Sequence, residues 1–393
     1  MGKAARRIAV IRRKLYDAAL QVDEWLAQNV RPSRSTAIFV RKASAGAGLT
    51  VALICLANML VRRGHRVALV ELAPSEGPLV RPISTNVRLI TVPEHESIGC
   101  AMRSVLADLQ PDYIYAAGLN ECVLLSIRQA APGGTALVFG DHDARRAIQA
   151  AADSLPADYL FALSDFDAIH AVNEEGSDVA RNLTRKSVFT IANPGPPPIK
   201  RQRSIFRSRK VVVLSRLAEN KHVEDVICAF DSLAPRFPKW KLEIYGRGPQ
   251  RAVLAELIRS KPGRRKIKLM RFTQDIAAIL SDSAMMVSAS EAEAFSFAYL
   301  EAMSSNCPIV SYDGHMCARA ILRHDENAFL ARFLDRDALA EEMSRVMEMI
   351  ENRDPLVGRV LKQGRATVDV LREERIARQW DVALRALARP NRN

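Results

Sequence analysis

Two doubly wound α/β domains joined by a proline-rich linker are the fold this sequence predicts. Three observations carry that expectation. Short apolar runs alternate with longer amphipathic segments through most of the chain, the pattern of parallel strands covered by helices. The alternation stops once, at N-P-G-P-P-P over residues 193–198, a stretch that can be neither helix nor central strand. The length, 393 residues with 48% hydrophobic and 26% charged, suits two domains that each bury a core.

The first domain spans 36–198. Residues 36–40 read as a strand, K-A-S-A-G-A-G over 42–48 as a glycine loop, the apolar run to Arg63 as a helix, and 67–72 as the next strand. That is a βαβ unit. Further strands are expected at 113–117, 136–139 and 159–163. After the linker comes a basic stretch with Lys200, Arg201, Arg203, Arg207, Arg209 and Lys210, and then a second domain over 199–367. Its strands are expected at 210–214, 240–245, 266–270, 285–288 and 308–312, followed by a helix over 339–350. A last helical unit, 368–393, carries Trp380 on a helix around 368–387.

Ahead of the first domain, residues 1–35 read as an added helix. Ile8, Ile11, Leu15, Ala18, Val22 and Trp25 recur at three- and four-residue steps and share one face, while Lys3, Arg6, Arg7, Arg12, Arg13 and Lys14 crowd the first half. Such a helix fits an anionic membrane surface, and it fits equally a protein surface, either the body of the chain or a second subunit in a homo- or hetero-oligomer. The net charge of +13 draws the protein toward phosphate-bearing partners. With 6% aromatic residues and no interleaving of basic and aromatic side chains, nucleic acid is not the expected partner; an anionic polymer or lipid-linked acceptor is. The apolar runs are too short to cross a bilayer and the N-terminus is too basic for a secretory signal, so the expected location is cytoplasmic, peripheral at most on the inner face of the plasma membrane. Cys55, Cys100, Cys122, Cys228, Cys307 and Cys317 are scattered, which points to neither a disulfide framework nor a structural metal.

The residues that carry chemistry follow the strands of the second domain, where open α/β sheets bind ligands. Arg216 and Lys221 come directly after the first of these strands; two cations there suit a diphosphate and can stabilise it as a leaving group. Alone they read equally as solvated surface cations. Gly246, Arg247, Gly248 and Pro249 end the next strand in a tight turn. Glu293 and Glu301 follow a later strand, eight residues apart, so a helix beginning near Phe295 separates them by at most about 12 Å. That span suits one nucleotide sugar, with Glu293 on hexose hydroxyls, Glu301 on ribose hydroxyls and the helix N-terminus on the diphosphate. Glu291 reads as an acidic first-turn residue.

This constellation resembles glycosyltransferase family 4, retaining enzymes of the GT-B fold, in which two Rossmann-like domains face each other across a cleft. The donor domain of that family carries R-x4-K, G-x-G-P and E-x7-E in this order, and Arg216 with Lys221, Gly246 to Pro249, and Glu293 with Glu301 match one by one. The likeness covers 210–350, and C-P-I-V-S-Y-D over 307–313 is similar to the branch that glycosylates poly(glycerol-phosphate) polymers and serine-rich proteins. The resemblance implies a hexose, glucose or N-acetylglucosamine, transferred from a UDP-sugar with no cofactor. It implies catalytic roles for Glu293, His142, Arg216 and Lys221. It implies a donor site formed by Gly46, Gly48, Arg216, Lys221, Gly246, Arg271, Phe272, Phe295, Ser296, Phe297 and Glu301, and a last helix that crosses back onto the first domain. His142 also reads as a structural hydrogen bonder. Asp141-His142-Asp143 spells D-x-D, but its metal-binding form belongs to a different glycosyltransferase fold, and no metal is expected.

The chain departs from the family at Ala294 and Ser296, where glycines are usual, at Arg271, and in the loop 313–319. These departures admit a second reading, a catalytically weakened partner subunit that binds acceptor or an active homologue. A third, a deviant P-loop ATPase, rests on residues 42–50, but Leu49 stands where the lysine before Thr50 would be needed.

Overall fold

The structure is a computed structural model that describes residues 34–43, 48–75, 79–92, 97–143, 149, 153–199 and 204–387. The basic segment 1–33 and Gly46 lie outside the described residues, and with them the expected N-terminal helix.

The first sheet has seven parallel strands: β1 (Ser35–Val40), β2 (Arg66–Glu71), β3 (Val87–Thr91), β4 (Tyr113–Ala116), β5 (Ala136–Asp141), β6 (Ala168–Ala171) and β7 (Ser187–Thr190), ordered β3-β2-β1-β4-β5-β6-β7. Its crossovers are α1 (Gly48–Arg62), α2 (Ile98–Leu109), α3 (Glu121–Ala130), α4 (Ala157–Asp165) and α5 (Glu174–Leu183). The second sheet has six parallel strands: β8 (Lys210–Leu214), β9 (Lys241–Tyr245), β10 (Ile267–Leu269), β11 (Met285–Ser288), β12 (Ile309–Tyr312) and β13 (Phe329–Ala331), ordered β10-β9-β8-β11-β12-β13. Around it lie α6 (Val223–Leu233), α7 (Arg251–Ser260), α8 (Ile276–Asp282), α9 (Phe297–Ser304), α10 (Met316–Ile321), α11 (Arg336–Glu351) and α12 (Pro355–Val370), and the chain continues in α13 (Glu373–Leu387). Strands of such sheets are buried on both faces, and β1, β4, β5 and β6 are buried along their whole length.

Three expectations are corrected. Residues 159–163 are not a strand but part of α4: Tyr159, Ala162 and Leu163 are its buried residues, spaced three and four apart, so an apolar run too short to show its period hid a helix. The strand of that region is β6, whose alanine and histidine make a weak strand signal. The helix around 368–387 is two helices that part at Leu371 and Arg372; the first, α12, is started by Asp354, whose carboxylate accepts from the Leu356 amide, and by Pro355 in the first turn. The helix after Glu293 begins at Phe297, with Ser296 as its N-cap.

The last helix belongs to the core of the first sheet. Ile376, Ala377, Trp380 and Leu384 are buried with Ile38, Leu53, Tyr113 and Tyr115. Polar contacts fix the register: Arg62 pairs with Glu373 at 2.6 Å, Arg63 with Asp381 at 2.5 Å, and the Tyr113 hydroxyl donates to the Leu384 carbonyl at 2.6 Å. Trp380 is only 4% exposed. Trp380→Ala should therefore cost about 3–5 kcal/mol in urea unfolding, whereas Val382→Ala, on the exposed side of the same helix, should stay within about 0.5 kcal/mol. Equal effects of the two substitutions would show that the helix is not docked through this face.

Candidate active site

In each sheet the strand order reverses once, between β1 and β4 in the first and between β8 and β11 in the second. Loops diverge at such points and leave a crevice beyond the carboxyl ends of the strands. Here the two crevices face each other. A cleft of about 1370 Å³ is lined from the first domain by Arg41, Asn120, His142 and Asp143, and from the second by Arg216, Glu219 and Glu293. A narrower recess of about 410 Å³ runs into the second domain. Arg216 and Glu293 line both cavities, so they stand where cleft and recess meet.

The recess is built by close backbone packing. A Cβ on Gly246 would lie 2.0 Å from the Ser215 carbonyl oxygen and one on Gly248 2.2 Å from that of Leu217, so only glycine lets the β9–α7 turn lie against the loop after β8. The Leu217 amide donates to the Arg247 carbonyl and the Gln250 amide to the Leu217 carbonyl, both at 3.0 Å, which fixes the loop that presents Arg216. Lys221 is tied down too: its Nζ donates to Ser290 Oγ at 3.0 Å, the Ala292 carbonyl at 3.1 Å and Glu293 Oε1 at 2.7 Å. Glu293 is thus held by a cation, while the exposed Arg216 lines both cavities.

Helix α9 contributes the far wall. Ser296 makes no side-chain cap bond and no acidic residue stands in the first turn, so the amides at this end are left for an anion. Phe295, Ser296, Phe297 and Ala298 all line the recess. Glu301, one turn on and about 6 Å along the axis from Phe297, also lines it. Burial pushes the Glu301 carboxyl up, against the pull of Arg81, which reaches from the first domain to pair with it. At the mouth, the Arg247 guanidinium lies 4.8 Å from the centre of the Phe272 ring, a flat surface of the kind on which a base stacks. Gly48 and Gly246 line the same recess.

The structure therefore gathers Gly48, Arg216, Lys221, Gly246, Phe272, Glu293, Phe295, Ser296, Phe297 and Glu301 around one recess, with His142 in the adjoining cleft. Arg271 is not among them. It is exposed beside Phe272 in the segment after β10 and does not line the recess. Glu291 is not in a helix; its carboxylate meets His222 at 3.3 Å. Ala294 lines the cleft and Ser296 the recess, both buried, and the Ala294 carbonyl accepts from Asn173 Nδ2 of the first domain at 2.8 Å. Two residues escaped the sequence: Arg81, an arginine in a loop with no motif around it, and Asn173, an ordinary N-cap of α5 that also spans the cleft. A cluster of His324, Asp325 and Glu342 is braced by Arg345, which pairs with the two carboxylates at 2.5 and 2.6 Å.

Comparison with known proteins agrees with this geometry. Residues 198–358 match the glycosyl transferases group 1 family. The group 1 match therefore covers the whole recess-forming sheet. Among curated relatives, an exopolysaccharide phosphotransferase of Streptomyces coelicolor is 32% identical over 37% of this chain and 16% of its own length. The poly(glycerol-phosphate) alpha-glucosyltransferase of Bacillus subtilis is 25% identical over 35% of this chain and 21% of its own length. The chain thus spans less than two thirds of the curated relatives it matches. Across the whole fold it is similar to S. aureus TarM, solved as a mutant in complex with fondaparinux, alpha-GlcNAc-glycerol and UDP, with TM-score 0.77, 11% identity and coverage of 89% of this chain and 99% of that one. The architecture is the two-domain GT-B fold of that neighbour. No helix among the described residues is long and apolar enough to cross a membrane.

Gly246 gives a test of the recess. Gly246→Ala should destabilise the protein by about 1–3 kcal/mol in urea, because the added methyl meets backbone. Gly358→Ala, inside α12 with open space around it, should instead stabilise by about 0.5–1 kcal/mol. The same sign for both would remove the close-packing argument.

Proposed function

We propose that the protein is a retaining hexosyltransferase that takes glucose or N-acetylglucosamine from a UDP-sugar and passes it to an anionic polymer, glycolipid or protein acceptor of the cell envelope. The observation that carries this reading is the sharing of Arg216 and Glu293 between a narrow recess and a larger cleft. A donor seated in the recess has its uridine near Phe272, its ribose hydroxyls on Glu301 and its diphosphate between Arg216, Lys221 and the amides of α9. Its hexose then reaches Glu293 at the junction, and the acceptor approaches through the cleft beside His142.

On this reading the chemistry is electrostatic. As the glycosidic bond to the diphosphate breaks, negative charge grows on the leaving oxygen, and fixed cations and helix amides stabilise it most at that moment. Lys221 also orients Glu293 through the 2.7 Å contact, so the carboxylate can accept hydroxyls of the hexose. Arg81 occupies Glu301 in the structure, and a ribose seated there displaces it. The basic net charge supports an anionic acceptor or an anionic membrane surface. No protein nucleophile is assigned.

Calorimetric titration with UDP-glucose and UDP-N-acetylglucosamine tests the reading, with ATP as control and donor hydrolysis assayed in the same samples. At least one UDP-sugar should bind and be slowly hydrolysed, and Glu301→Ala should weaken binding by about tenfold or more, the loss of hydrogen bonds to a charged acceptor. Binding without hydrolysis or transfer would favour the weakened partner subunit. Binding of ATP alone would revive the ATPase reading.

A further inference from the structure

Behind His142 lies a chain of polar groups that the donor site does not use. The Ile191 carbonyl meets His170 Nε2 at 2.8 Å; His170 Nδ1 meets the Tyr115 hydroxyl at 2.7 Å; and that hydroxyl meets His142 Nε2 at 3.0 Å. The direction of every bond follows from its first member and from the neutrality of His170. A carbonyl only accepts, so His170 carries its proton on Nε2. Burial pushes His170 down to about 4, so at neutral pH its Nδ1 is bare and accepts. Burial, and then the Asp141 carboxylate, push Tyr115 well above its ordinary range, so the phenol keeps its proton and donates it to His170. The phenol oxygen is left to accept, and His142 must supply the proton from Nε2. Burial and the neighbouring imidazole of His170 push His142 down to about 3, so its ring is neutral and its Nδ1 bears a lone pair.

The surroundings are shaped for this chain. A Cβ on residue 140 would lie 2.1 Å from the Tyr115 hydroxyl oxygen, so Gly140 is what lets the phenol pass β5 to reach His142. Trp380 of α13 packs 4.7 Å from His170 and 5.6 Å from Tyr115, ring centre to ring centre, and Phe189 stacks on His170 at 5.5 Å. His142 itself lines the cleft, and its Nδ1 has no hydrogen-bond partner among the described residues.

We infer that Tyr115 and His170 are positioning residues that lock His142 as the Nε2–H tautomer, so that it offers the cleft only a hydrogen-bond acceptor, one that takes a hydroxyl of the transferred hexose and refuses a phosphate. The lock stands on the hydrogen-bond geometry; the hexose as its ligand rests on the proposed function. A neutral imidazole with a bare nitrogen cannot donate to an anion there, whatever the protein's net charge. Nor does it act as a general acid at neutral pH, because that nitrogen has no proton to give. Its part is recognition: a donor whose hexose lacks the hydroxyl leaves the lone pair unmatched.

The experiment uses the full chain labelled with 15N at histidine. His142→Gln assigns the His142 signals by their loss. Wild type should show His142 with a pyrrole-like Nε2 and a pyridine-like Nδ1, unchanged between pH 5.5 and 8; a proton on Nδ1, or titration in that range, overturns the lock. In Tyr115→Phe the two tautomers should mix, and hydrolysis of the UDP-sugar should fall by about tenfold in kcat while the Kd for UDP, which has no hexose, stays unchanged. A kcat equal to wild type, or a UDP affinity that falls in parallel, would overturn the positioning role. Failure of wild type to bind UDP would remove the donor reading and the hexose with it, while the tautomer in the spectrum would still decide the lock.

Discussion

Everything in the site depends on the strands of both sheets running parallel. A parallel strand must be followed by a crossover, so all carboxyl ends of one sheet open on the same side, and the loops there are free of the work of pairing strands. Where the strand order reverses, neighbouring loops part. This chain does so twice and turns the two openings toward each other. The loop after β8 supplies Arg216 and Lys221, the loop after β11 supplies Glu293, and the loop after β5 supplies His142. These three loops are far apart in sequence; the topology makes them one site.

Among the described residues, polar contacts join the facing halves. Arg319 reaches Glu175 at 2.6 Å, Gln274 donates to the Leu79 carbonyl at 2.6 Å, Asn173 donates to the Ala294 carbonyl, and Arg81 pairs with Glu301. The two that involve exposed side chains, Arg319–Glu175 and Gln274–Leu79, contribute little each. The covalent link works differently. Residues 193–199 lie against the second domain and the turn before α13, with Gly195 donating to the Leu371 carbonyl at 2.8 Å and Ile199 to that of Ser304 at 3.0 Å. With α13 buried against the first sheet, the chain passes between the halves twice, once on each side of the second domain.

Much of this was legible in the sequence, and the reason is local. Strands such as β8 and β11 are short apolar runs bounded by polar turns, and residues 285–288 coincide with β11. The recess was legible because Arg216, Lys221, Gly246, Glu293 and Glu301 keep fixed spacings to strand ends, and a spacing is a local property. What escaped was either ambiguous in period or not local at all. The run 159–163 satisfies a strand and one turn of a helix equally, and only the packing of Tyr159 and Ala162 under β5 and β6 decides between them. Arg81 meets its partner across 220 residues of chain. No pattern within the loop 79–82 announces that.

His142 shows the same limit from the other side. Its place after β5 is read from the sequence either as that of a catalytic histidine or as that of a structural hydrogen bonder. The sequence does not reach its protonation, because the groups that govern the ring come from β4, β6 and the end of β7, which are adjacent only in the folded sheet. Burial of Tyr115 and His170 removes the water that would otherwise share their protons and keeps His170 neutral, and one backbone carbonyl then sets the orientation of every bond as far as the cleft. A sequence reports which residues can hydrogen-bond. The direction in which the protons point is a property of the fold.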